Sequence, residues 1–130
     1  MTNYTAPIKD QMFILHELLS IQERPDIPGY VDLTPDITGA ILEEIGKLSS
    51  EVLHPLNEIG DKQGCKLENG IVRTPDGFKD AFLQAQEGGW FGLECDEKYG
   101  GQGIPRVVAV CMGEMSCSSN MAFSLSLIHI

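Results

Sequence analysis

The chain has 130 residues, nine Lys and Arg against nineteen Asp and Glu, a formal charge of −10, and 42% hydrophobic against 22% charged residues. That length fits about one domain with enough apolar material for a core, so a wholly disordered segment is excluded. The acidic excess repels phosphate backbones and anionic lipid, arguing against nucleic-acid and membrane-surface partners. No stretch reaches the roughly 18 to 20 apolar residues of a bilayer span, and the start lacks the basic-then-apolar pattern of a signal peptide, so a cytoplasmic location is expected.

Residues 8–19 place Met12, Leu15, Leu18 and Leu19 at helical spacing, with Phe13 and Ile14 widening the stripe, which predicts a short amphipathic helix. Pro25-Asp26-Ile27-Pro28-Gly29 then reads as a connector. Thr34-Pro35-Asp36 supplies a capping hydroxyl, a proline at the first helical position and an acid in the first turn. Ile37, Ile41, Ile45, Leu48, Val52, Leu56 and Ile59 come next as one apolar stripe, so a long helix is predicted, kinked or broken near His54 by Pro55 and closed at Gly60.

Asn69-Gly70 between Leu67 and Ile71-Val72 predicts a small hairpin, since both residues accept positive φ. Thr74-Pro75 repeats the cap-plus-proline start for a brief helix whose face holds Phe78, Phe82 and Ala85, stopped by Gly88-Gly89. The glycines between Trp90 and Pro105 predict a long ordered loop. A last helix buries Val108, Cys111, Met112 and Met115, with Ser116 to Asn120 marking its end or a break before another helix.

Few of these residues invite chemistry. Gly100-Gly101-Gln102-Gly103 precedes a helix as phosphate-binding loops do, but no strand leads into it and Pro105 removes a donor, so a structural turn is expected. Glu94, Asp96 and Glu97 read as solvated loop acids, and Glu114 as a polar anchor inside an apolar helix. Trp90-Phe91 reads as the plug of a helix junction, and His16 as a packing residue. Cys65, Cys95, Cys111 and Cys117 form no CxxC pair or zinc spacing and read as buried free thiols; His16, His54 and His129 supply no metal constellation. No residue is assigned a catalytic role and no metal is expected.

Gly89-Trp90-Phe91-Gly92-Leu93, Lys98-Tyr99-Gly100-Gly101-Gln102-Gly103-Ile104-Pro105, Gly113-Glu114-Met115 and Asn120-Met121-Ala122-Phe123 together resemble the N-terminal helical domain of acyl-CoA dehydrogenases. Tyr4 to Asp10, Phe13 to Glu17, Pro55-Leu56-Asn57, Gly60-Asp61, Gly64-Cys65 and Thr74 to Phe78 resemble the large branch that includes 3-methylmercaptopropionyl-CoA dehydrogenases. The resemblance implies an all-α fold, the partial helical N-terminal domain of that family with a short hairpin-like loop. Residues 1–33 would be an extension with one short helix and 34–124 the incomplete helical domain.

The implied activity is oxidation of an acyl-CoA thioester to its 2,3-enoyl form by an FAD enzyme that passes electrons to an electron-transfer flavoprotein and forms a homo-oligomer. The flavin-binding β domain and the catalytic carboxylate would lie beyond Ile130, so the chain alone is expected to be inactive. By the same resemblance, Met121 and Phe123 begin the helix that lines the acyl chain. Residues 125–130, Leu-Ser-Leu-Ile-His-Ile, depart from the family and resemble the translated end of a sequencing adapter. The alternative is a small non-catalytic helical interaction module. Sequencing the source DNA across codon 124 separates the two: the enzyme reading expects the frame to run on through several hundred codons into a β-rich domain, and a native stop after Ile130 favours the module.

Overall fold

The computed structural model describes residues 3–127, which form five α-helical elements and one two-stranded sheet. The first helical run is α1 (Ile8–Met12), continued by a π turn over Phe13–Leu18 in which Leu19 N donates to Ile14 O at 2.9 Å. This wider turn rotates the residues after it about the helix axis, so the expected stripe holds only in part. Leu15 is buried, Gln11 and His16 are buried with it, and Leu18 and Leu19 stay exposed at 67% and 47%.

α2 (Pro35–Lys47) starts where the capping pattern places it, with Thr34 Oγ1 accepting from Ile37 N. A second π turn (Leu48–Leu53) joins it to α3 (His54–Gln63). Of the kink or break expected near His54, the break is corrected: Leu53 and His54 keep helical dihedrals, and the π turn just upstream lies where the missing proline donor would otherwise interrupt the ladder. Closure at Gly60 is also corrected, because the helix runs on to Gln63 and Gly64, at φ +62°, ends it.

The buried line of this long run is Thr38, Leu42, Ile45, Ser49 and Leu53, displaced from the expected isoleucine stripe, whose Ile37 is 48% exposed. Small residues occupy the closest helix contacts; a Cβ added at Gly46 would stand 3.1 Å from both Ala6 and Ile8. Hydropathy spacing does not register such contacts.

β1 (Lys66–Glu68) and β2 (Ile71–Arg73) pair antiparallel with Leu67 opposite Val72, and Asn69 and Gly70 both take positive φ, as the turn dipeptide requires. α4 (Phe78–Glu87) begins after Gly77 rather than at Thr74-Pro75: a tight turn first brings Phe78 N to Pro75 O. Gly88 and Gly89 end it. The stretch to Pro105 is an ordered loop holding two single 3-10 turns, Trp90–Gly92 and Glu97–Tyr99.

α5 (Arg106–Leu127) buries Val108, Cys111 and Met115 and breaks at Asn120, whose φ of −156° and ψ of 88° are extended. Of the segment expected to be adapter-derived, residues 125–127 continue α5 and 128–130 lie outside the described residues. The core has two parts. One joins Leu15, Ile21, Leu33, Leu42, Ile45, Leu93, Val108 and Met115; the other joins Leu53, Ala81, Ala85 and Phe123, and Trp90 packs against both, as a junction plug should.

Asn120 ties together two members of the second part, Leu53 and Phe123. It is fully buried, its Nδ2 donates to Leu53 O at 3.0 Å, and its Oδ1 accepts from Phe123 N at 3.0 Å, capping the restarted helix. Asn120→Ala removes the cap and strands a buried carbonyl, so it should destabilise the fold by about 2–3 kcal/mol. Urea denaturation followed by circular dichroism checks this, and a loss under about 0.5 kcal/mol would contradict the role assigned to the pair.

Candidate functional site

The break at Asn120 turns the last stretch of α5 so that Phe123 points inward, 5% exposed, while Met121 and Leu125, one helical turn apart, face outward at 58% and 56%. Phe123 lies 6.1 Å from the Phe78 ring. It forms one end of an open-sided groove of about 320 Å³ walled by Leu48 and Leu53, by Ala109 and Met112 of α5, and by Trp90 and Phe91 from the loop. The groove is mostly apolar, and Ser116, Cys117 and Ser124 are its small polar lining.

Of the two residues singled out from the sequence, Phe123 therefore lines this groove, whereas Met121 sits on the opposite face of its helix. The residues that sequence reasoning missed are Ala109, Ser116, Cys117 and Ser124; their small size at helical spacing on one face was the available signal.

Glu94 is the carboxylate on the groove, and Arg106 Nη1 holds both its oxygens at 2.9 Å. That geometry makes it an ion-paired rim group rather than a free base. Asp96 accepts from Lys98 N at 2.9 Å and caps the short turn after it. Glu114 accepts from Gln11 Nε2 at 2.8 Å and so anchors α1 to α5, the part expected of it. His16 packs in the core with its Nδ1 2.8 Å from Gln22 Oε1.

The glycine loop is a structural turn. Gly100, Gly101, Gln102 and Gly103 N–H groups donate to the carbonyls of Glu97, Asp96, Gly92 and Cys95, so none is left pointing outward for a phosphate. Gly101 is required for closeness alone, since a Cβ there would lie 2.0 Å from Cys95 O. The dinucleotide phosphates of FAD thus find no donor cluster in this loop. Among the described residues no group of three or more His, Cys, Asp or Glu could hold a metal ion, and no helix is long and apolar enough to cross a membrane.

The cysteines are free thiols, but their expected burial needs correction: Cys65 beside the hairpin and Cys95 in the loop are exposed, because neither segment packs under another element. Cys111 is buried, and that burial, with the Glu114 carboxylate adding to it, pushes its thiol above the usual range and keeps it protonated and unreactive near neutrality.

The chain is similar in sequence, over 94% of its length, to two acyl-CoA dehydrogenases. It is 37% identical over 122 residues to 3-methylmercaptopropionyl-CoA dehydrogenase of Ruegeria pomeroyi, and 25% identical over 124 residues to the broad-specificity linear acyl-CoA dehydrogenase FadE5 of Mycobacterium tuberculosis. The chain spans about a fifth of the length of these curated relatives, 21% and 20%. No protein-family model matches it. The family resemblance read from the sequence is borne out by these relatives.

Proposed function

We propose that this chain is the N-terminal helical part of an FAD-dependent acyl-CoA dehydrogenase and supplies one wall of its acyl pocket. The observation that carries this reading is the restarted helix at Asn120, which bears apolar side chains on opposite faces: Phe123 at the groove, and Met121 turned outward. A helix apolar on both sides is a helix meant to be covered on both sides. The exposed Met121 therefore fits contact with another part of a larger enzyme, and the groove fits the apolar chain of a thioester.

In such an enzyme a base would take the proton from the α carbon of an acyl-CoA, and FAD, where held, would supply the acceptor for the hydride from the β carbon. Neither step falls to a residue described here. Glu94 is paired with Arg106, Asp96 caps a turn, and Glu114 is held by Gln11. What the chain contributes is shape: apolar side chains that hold the acyl group and exclude water from it. Alone it should neither bind FAD nor turn over an acyl-CoA, and electrons would leave the whole enzyme through an electron-transfer flavoprotein.

The alternative, a small non-catalytic helical interaction module, draws on a second observation. Phe13, Ile14 and Leu18 are exposed at 60%, 44% and 67%, because the π turn directs them away from the core. Such a patch favours self-association or a protein partner.

A chimera tests the enzyme reading. This chain should replace the 122 matched residues of the Ruegeria pomeroyi relative and give a yellow, active dehydrogenase. In that chimera Phe123→Ala should raise the KM for an acyl-CoA by about tenfold through lost apolar contact, with Lys9→Gln as a neutral control. A chimera without flavin, or a Phe123→Ala variant with the KM of the parent, would count against it.

A further inference from the structure

A second cavity, of about 600 Å³, opens on the far side of Phe123 between β2 and the start of α4. Its floor is apolar and aromatic: Val72, Pro75, Phe78, Phe82 and Phe123. Arg73 and Lys79 also line it, and neither is in an ion pair among the described residues.

Five of the nine cations are paired with carboxylates, Arg24 with Asp26, Lys47 with Glu44, Lys62 with Glu58, Lys98 with Asp96 and Arg106 with Glu94. Among the described residues Lys9, Lys66, Arg73 and Lys79 have no such partner, although acids outnumber bases about two to one. Two of those four, Arg73 and Lys79, line this cavity, and a third, Lys66, stands directly across the hairpin from Arg73. Like charges opposed across two strands destabilise the pair, a cost that a bound anion would relieve.

Two carboxylates line the same space. Asp76 is occupied by Gln63, whose Nε2 donates to Asp76 Oδ2 at 3.0 Å while Asp76 N donates back to Gln63 Oε1 at 2.9 Å. Asp80, in the first turn of α4, opposes an anion. The two lining cations match the two carboxylates, and Lys66, across the hairpin from Arg73, brings the local count to three cations against two acids.

We propose that this cavity is a binding site for an organic anion with an apolar body, its charged end between Arg73 and Lys79 and its body on Phe78, Phe82 and Phe123. The apolar floor supplies most of the contact and the two cations choose the charge, the usual division of labour in a small-molecule site. The site is separate from the acyl groove and does not rest on the acyl-pocket reading, since Phe123 stands between the two spaces.

Two fluorescent probes of matched aromatic body test it: anilinonaphthalene sulfonate, which is anionic, and phenylnaphthylamine, which is neutral. With the intact chain, Arg73→Gln combined with Lys79→Gln should weaken the sulfonate about five- to tenfold and leave the neutral probe within about twofold. Raising the salt to about 0.3 M should weaken the sulfonate on the unaltered chain in the same sense. Lys9→Gln, which removes an unpaired cation elsewhere, should change neither probe. Both substituted side chains are exposed, so the fold is kept. Displacement of the sulfonate by octanoate assigns an aliphatic body, and displacement by adenosine monophosphate a flat aromatic one. Unchanged sulfonate affinity in the double variant, an equal loss of both probes, an equal effect of Lys9→Gln, or displacement by neither competitor would overturn the proposal.

Discussion

The arrangement of this molecule depends on the side chain of Asn120. An amide buried without partners would cost several kcal/mol, so its presence in the core has to be matched by hydrogen bonds. It makes one with each end. The Nδ2 group donates to the Leu53 carbonyl, 67 positions away, and Oδ1 accepts from Phe123 N. The first bond ties α5 to the π turn between α2 and α3; the second restarts the helix in a new direction. Phe123 then enters the smaller core beside Leu53, Ala81 and Ala85, and Met121 and Leu125 are left facing out. An apolar residue at 120 would leave the restarted helix without its cap and α5 without its tie to Leu53 O.

Both cavities result from that turn. Phe123 is their common wall, with the apolar groove toward Trp90 and Met112 on one side and the hairpin cavity with Arg73 and Lys79 on the other. Neither space has catalytic equipment of its own. The acids nearest to hand are already committed, Glu94 to Arg106 and Asp76 to Gln63, and the glycine loop spends its donors on its own carbonyls. The chain matches about a fifth of the length of two acyl-CoA dehydrogenases.

What could be read from the sequence was local. Thr34 before Pro35 and the Asn69-Gly70 dipeptide act within four residues of themselves, and both lie where their chemistry requires. The polar run ending at Asn120 announced a break because such side chains compete for backbone partners. Features set by distant packing were not readable. Pro55 announced a break, yet the π turn upstream keeps the helix continuous. The isoleucine stripe misplaced the buried face because Thr38, Gly46 and Ser49 are buried where other elements come close, a matter of size rather than hydropathy. Of the candidate site, Phe123 was legible through the family resemblance. The opposite orientation of Met121, the Leu53 carbonyl and the gathering of unpaired cations by the hairpin needed the fold.

The central claim is that Asn120 orients the end of α5. Amide hydrogen exchange read by nuclear magnetic resonance tests it most directly, because Phe123 N–H sits in a first helical turn, where amides normally lack partners and exchange fast. The account predicts that it is strongly protected, and that Asn120→Ala removes protection from residues 121–125 while residues 108–118 keep theirs. Fast exchange at Phe123 in the unaltered chain, or an Asn120→Ala variant with unchanged protection throughout α5, would contradict it.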